Sequence, residues 1–154
     1  MADSCPECGA LLPATGDCYD HFLALLAREW QTGGYAVRER GRILHFYAVS
    51  SYLLQHPQRM QCTGQALAAV RHNLADHLAG RTTLSRILAQ TGQDAAGRRR
   101  VRRRPGEAVP PSLAGAWPLR VTDVLAGGTE GFGECVTAWA VAVIVAADAA
   151  ARHQ

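Results

Sequence analysis

The chain contains no lysine: all 16 of its basic residues are arginine. With its abundant alanine, this bias points to a high-GC bacterial genome. Aromatic residues make up only 6%, which excludes a core built mainly from large rings and favours helices packed closely through small side chains. No window combines a basic n-region with an apolar h-region near the start, so no secretory leader is expected. No apolar run is long enough to span a bilayer: Cys135 to Ala147 is about 13 residues and Asp148 ends it. No segment alternates as a strand does, and no internal repeat is present. There is also no His-Glu-x-x-His pair of the helical zinc proteases: His72 and His77 are five apart and point about 140° away from each other. These absences lead to the expectation of a cytoplasmic protein that engages no membrane.

What is present is enough for one domain. The chain has 154 residues, 48% of them hydrophobic. Helical spacing of apolar residues predicts a first helix from Cys18 to Gln31 through Phe22, Leu25, Leu26 and Trp30, capped by Asp17 and ended by Gly33-Gly34. A second runs from Arg40 to Gln55, where Pro57 forbids continuation. A third spans Thr63 to Ala79 and stops at Gly80. Thr82 or Thr83 caps a short fourth helix with Leu84, Ile87 and Leu88. Residues 91–116 are rich in Gly, Pro and Arg and read as a loop. Thr122 is expected to cap a short helix ending at Gly127-Gly128. The last helix, from Glu130 to Ala151, is apolar nearly all round, as helices in a bundle or at a dimer interface are. The expected fold is therefore mainly α: a small helical bundle over residues 18–90 and 117–154, with an N-terminal zinc knuckle over 1–17 and the irregular loop between.

The strongest chemical signal is Cys5-Pro6-Glu7-Cys8-Gly9 followed by Cys18. A Cys-x-x-Cys turn brings two sulfurs to one tetrahedral ion, and the glycine lets the backbone curl. Pro6 stiffens the turn. A thioredoxin-like redox pair would need a preceding strand and a helix opening from the motif, and only four residues precede Cys5. Five cysteines, an odd number without an export signal, argue for reduced thiols and metal rather than disulfides. Zinc is the expected cofactor, with Cys5, Cys8 and Cys18 as ligands. The fourth ligand is open. His21 would close a local site; His45, His56 or His72 would clamp the N-terminus onto the helical body. His45 and His56 are eleven apart on one face of the second helix, separated by about 16 Å along its axis, so both cannot bind one ion.

These motifs resemble a family of small bacterial proteins of unknown function. In that family a Cys-Pro-x-Cys-Gly start precedes a His-rich helix ending in Gln-His-Pro. The matching residues are Cys5, Cys8, Cys18 with Phe22, His45, and Tyr52-x-x-Gln55-His56-Pro57. Trp117, the segment Val121 to Gly128, and Trp139-Ala140 extend the likeness over most of the chain. Phe46 stands where the family tends to carry a second histidine. The resemblance implies a fourth ligand from the second helix, His45 being the first choice with His56 beside it. It implies no activity.

Three functions remain in competition. One is a structural zinc protein with an accessory or interaction role, acting on a protein partner or on itself. A second is a metalloenzyme, for which His45, His56, Glu29 and Asp76 supply acid–base groups. The third is nucleic-acid binding through Arg98–Arg104. That run holds six arginines; without them the formal charge of +3 becomes −3. It has no interleaved aromatics for base stacking and is less favoured than a solvated linker.

Overall fold

A computed structural model describes residues 3–13, 15–32, 39–96 and 117–152, with side chains outside 93–96. Six helices follow in order: α1 (Cys18–Gln31), α2 (Glu39–Gln55), α3 (Gly64–Leu78), α4 (Leu84–Ala96), α5 (Val121–Ala126) and α6 (Phe132–Ala151). Among the described residues there is no strand, only an isolated antiparallel bridge between Ser4 and Leu11. The fold is mainly α, as expected.

The helix starts follow from local chemistry. Asp17 accepts from the amides of Tyr19 and Asp20 at 2.8 and 3.0 Å, and Asp20 returns the contact by accepting from the Asp17 amide at 2.8 Å. This reciprocal box satisfies amides that the first turn of α1 would otherwise leave unpaired. Thr63 caps α3 by accepting from the amide of Ala66, and of the two threonines before α4 it is Thr83 that accepts from Arg86. Pro57 follows the end of α2 as the sequence required.

Several boundaries differ from the sequence reading; α6, for one, starts at Phe132 rather than Glu130. α4 continues to Ala96, so helix occupies the first part of the segment read as loop. Gln90, Thr91 and Gln93 tolerate helix, and the first breaker, Gly92, sits inside it at a cost of only about 1 kcal/mol. At α5 the N-cap is Arg120 rather than Thr122. Asp123 accepts from the Arg120 amide at 2.8 Å and so supplies the cap contact from inside the helix. The expected Gly33-Gly34 stop and the Arg98–Arg104 run lie outside the described residues.

The core joins α2 to α6 and α3, and α1 to α5. Leu25, Tyr52, Leu74, Val121, Val136, Trp139 and Val143 are fully buried. Ala48 and Ala140 are buried as well, which lets α2 and α6 approach closely. Gly133 eases that approach: a Cβ there would lie 3.2 Å from the tips of Leu44 and of the Arg40 guanidinium, which would have to shift slightly. Gln55, a polar residue, is buried with them. Gln55 donates to the Leu119 carbonyl at 2.7 Å and accepts from the Trp139 indole at 3.2 Å. It ties the chain entering α5 to both α2 and α6.

α6 is long and apolar enough to cross a membrane by length and composition. Here it packs on α2, and Arg71 of α3 reaches its Asp148 at 2.6 Å.

α1 and α2 run antiparallel. Phe22 stacks on Tyr52 near one end, and Glu29 meets His45 near the other. The start of α1 and the end of α2 are therefore neighbours, and the N-terminal knuckle sits where they meet.

Candidate metal centre

The knuckle is closed by its own backbone. The Cys5 amide donates to the Ala10 carbonyl and the Gly9 amide to the Cys5 carbonyl, both at 2.8 Å. Gly9 has φ 74°, in the left-handed region, which a residue with a Cβ enters only at a cost. Both cysteines face inward: Cys5 is 6% exposed and Cys8 fully buried. Cys18 is the first residue of α1, directly after the Asp17 cap. His56 follows the last residue of α2.

These four residues converge. Their ligand atoms all lie within 4.8 Å of one another, and all four residues are buried. The Cys8 and Cys18 sulfurs are 3.6 Å apart. Tetrahedral zinc with sulfurs at about 2.3 Å requires about 3.8 Å between them, so this edge is already close to the bound geometry. The imidazole is oriented for the same task. His56 Nδ1 donates to the Tyr52 carbonyl at 3.1 Å. That hydrogen bond leaves the lone pair on Nε2, which is buried and has no hydrogen-bond partner among the described residues. A backbone carbonyl holding one ring nitrogen while the other faces the ligand set is the usual support of a metal-bound histidine.

The three thiols differ in how readily they ionise. The hydrogen bond from Cys18, more than the His56 ring, pushes the Cys8 thiol down to about 4 against the opposing effect of burial. Cys18 moves up because its proton is committed to Cys8 and because it is buried. Burial also raises Cys5. Three buried thiols thus share charge unequally, and a divalent ion bound among them would favour the thiolate form of all three.

Further side chains lock the frame. The Glu7 carboxylate accepts from the amides of Gln58 and Arg59 at 2.7 and 3.2 Å, joining the knuckle to the turn after His56. Arg120 Nε donates to the Cys8 carbonyl at 2.9 Å, tying the chain entering α5 to the knuckle. Arg59 pairs with Asp17 at 2.9 Å and lies over the Tyr19 ring. Phe22, Tyr52 and His56 form a continuous stack, with centroids 4.1 and 4.0 Å apart.

Of the sequence candidates, Cys5, Cys8, Cys18 and His56 are brought together, and the first choice for fourth ligand, His45, is not among them. Its Nδ1 is 2.8 Å from the Glu29 carboxylate. The correction follows from the antiparallel pairing: the knuckle docks at the end of α2, and His45 lies three turns away along the same face. His21 is turned back onto the Asp17 carbonyl at 2.8 Å. His72 faces Asp76, 3.4 Å away, at the surface. Glu29 and Asp76, considered as acid–base groups, are engaged with His45 and with Arg81 respectively. Arg120 was missed; a lone arginine more than a hundred residues from the knuckle leaves no signal in spacing. Glu7 stood inside the motif, where only its cysteines carried meaning.

Comparison with curated proteins and with solved structures found no match. The model of a family of unknown function, DUF5946, matches residues 3–148, and the chain belongs to that family.

Proposed function

We propose that the chain binds one zinc ion through Cys5, Cys8, Cys18 and His56, and that the metal is structural. The observation that carries this reading is the burial of all four ligand residues around a ligand set whose atoms lie within 4.8 Å of one another. Three sulfurs and one imidazole nitrogen are a donor set suited to tetrahedral zinc. Four protein ligands leave no coordination position for water or substrate, which separates this centre from catalytic zinc. The ion links three segments distant in sequence, the knuckle, the start of α1 and the end of α2, so its binding energy becomes folding energy. Reduced thiols fit a cytoplasmic protein, and a closed metal centre fits an accessory or interaction role rather than turnover.

The test is elemental analysis of the purified chain together with unfolding in the presence of a chelator. One zinc per chain is expected, and chelation should remove helical circular dichroism cooperatively. Cobalt substitution should give the visible spectrum of a tetrahedral sulfur-rich site. Metal loss without any change in the thermal transition would overturn the structural reading.

A further inference from the structure

The outer face of α6 is not accounted for by the metal centre. α6 is the most apolar helix of the fold, yet only 28% of its most apolar stretch is buried. Its inner face carries Trp139, Val143 and Ala147 into the core. On the outer face Val141 is 46% and Val145 61% exposed. With Ile43 and Leu44 of α2 these valines line an open apolar groove of about 760 Å³.

The charges around this face are arranged in a particular way. Glu134, near the start of α6, is held by Arg40 at 3.1 Å. Asp148, near its end, is held by Arg71 at 2.6 Å. Positions 134, 141 and 148 are seven apart and lie within about 40° of one another on the helix. The stripe thus reads as acid–arginine pair, valine, acid–arginine pair, symmetric about Val141.

We propose that this face is an interface between two copies of the chain, with the two α6 helices antiparallel and a twofold axis at Val141. Antiparallel pairing about that point sets Glu134 of one copy against Asp148 of the other. Each acid arrives with its arginine, so Arg40 meets the second copy's acidic Asp148, and Arg71 meets the second copy's acidic Glu134. The four charges alternate and sum to zero. Between them Val141 meets its own equivalent and Val145 faces Thr137 of the second copy, so no charge needs desolvating there. A self-complementary patch of this kind is what a twofold dimer requires. A bilayer fits less well. The two charged ends of the stripe are about 21 Å apart along the helix axis, short of the roughly 30 Å of a hydrocarbon core. The inference is independent of the metal.

The experiment is sedimentation equilibrium of the full-length, metal-loaded chain at micromolar and submillimolar concentrations, for wild type, Val141→Asp and Val145→Asp. Both positions are exposed, and zinc content and circular dichroism report that each variant is folded. Wild type should be a dimer. Because each substitution enters the interface twice, it should raise the dimer dissociation constant roughly a hundredfold or more. A wild type that stays monomeric at submillimolar concentration would overturn the proposal, as would a dimer that neither variant weakens. A monomer that co-sediments with phosphatidylglycerol vesicles, and loses this in Val145→Asp, would assign the face to a lipid surface instead.

Discussion

His56 and Tyr52 stand one turn apart at the end of α2, and two contacts join them. Their rings stack at 4.0 Å with 17° between planes, and His56 Nδ1 donates to the Tyr52 carbonyl at 3.1 Å. The stack fixes the tilt of the imidazole and the hydrogen bond fixes its tautomer. Together they aim Nε2 at the three thiols, an arrangement that would lower the cost of ordering a metal site.

The two histidines of α2 should therefore differ sharply. His56→Ala is expected to weaken zinc binding by more than the about 10–100-fold typical of changes to supporting residues. His45→Ala should retain one zinc per chain, since its partner is Glu29. Competition with a chromophoric chelator measures both. Equal losses would show that the fourth ligand has been misassigned.

The Glu7 carboxylate is the bridge between the knuckle and the turn after His56. Glu7→Ala should keep the metal stoichiometry but reduce zinc affinity by about 10–100-fold. Arg120→Ala, which frees the Cys8 carbonyl, should act in the same direction. The same chelator competition reads both, and unchanged affinity in the pair would remove these residues from the support of the site.

Gln55 is fully buried and serves α6 and the segment before α5 at once. Gln55→Leu strands the Trp139 N–H and the Leu119 C=O, each costing about 1–3 kcal/mol. Urea unfolding of the zinc-loaded variant should show this loss while zinc content stays at one per chain. Stability within experimental error of wild type would mean that water replaces the amide.

His77 should contribute a pH dependence of its own. Burial holds its pKa below the ordinary 6.5, and its Nδ1 is 2.9 Å from the Tyr47 hydroxyl, with the Phe46 ring beside it. The folded chain therefore binds this proton less readily than the unfolded chain. The sign follows: stability contributed by neutral His77 is complete above about pH 6.5 and declines as pH falls below it. Thermal unfolding of wild type and His77→Gln on either side of pH 6.5 checks this. The gap between the two should narrow at the lower pH; a constant gap would count against it.

Much of the fold was legible from spacing and caps. Asp17, Thr63 and Pro57 mark boundaries through contacts made within one turn, and such contacts depend only on neighbouring residues. The knuckle was legible for the same reason: Cys5, Cys8 and Gly9 act through one local turn. Where the reading missed the support of the site, a distant group had intervened: Arg120 reaches the Cys8 carbonyl from more than a hundred residues away.

The sequence by itself determined most of the helices and singled out the three thiols, but it left the fourth position open among His21, His45, His56 and His72, with the family resemblance favouring the face of α2 that carries His45 and His56. A helical face, however, is continuous along its axis, and periodicity cannot say which level of it another segment will reach. That was decided by the antiparallel packing of α1 on α2. It places the start of α1 beside the end of α2, puts His56 against the sulfurs, and leaves His45 three turns away with Glu29.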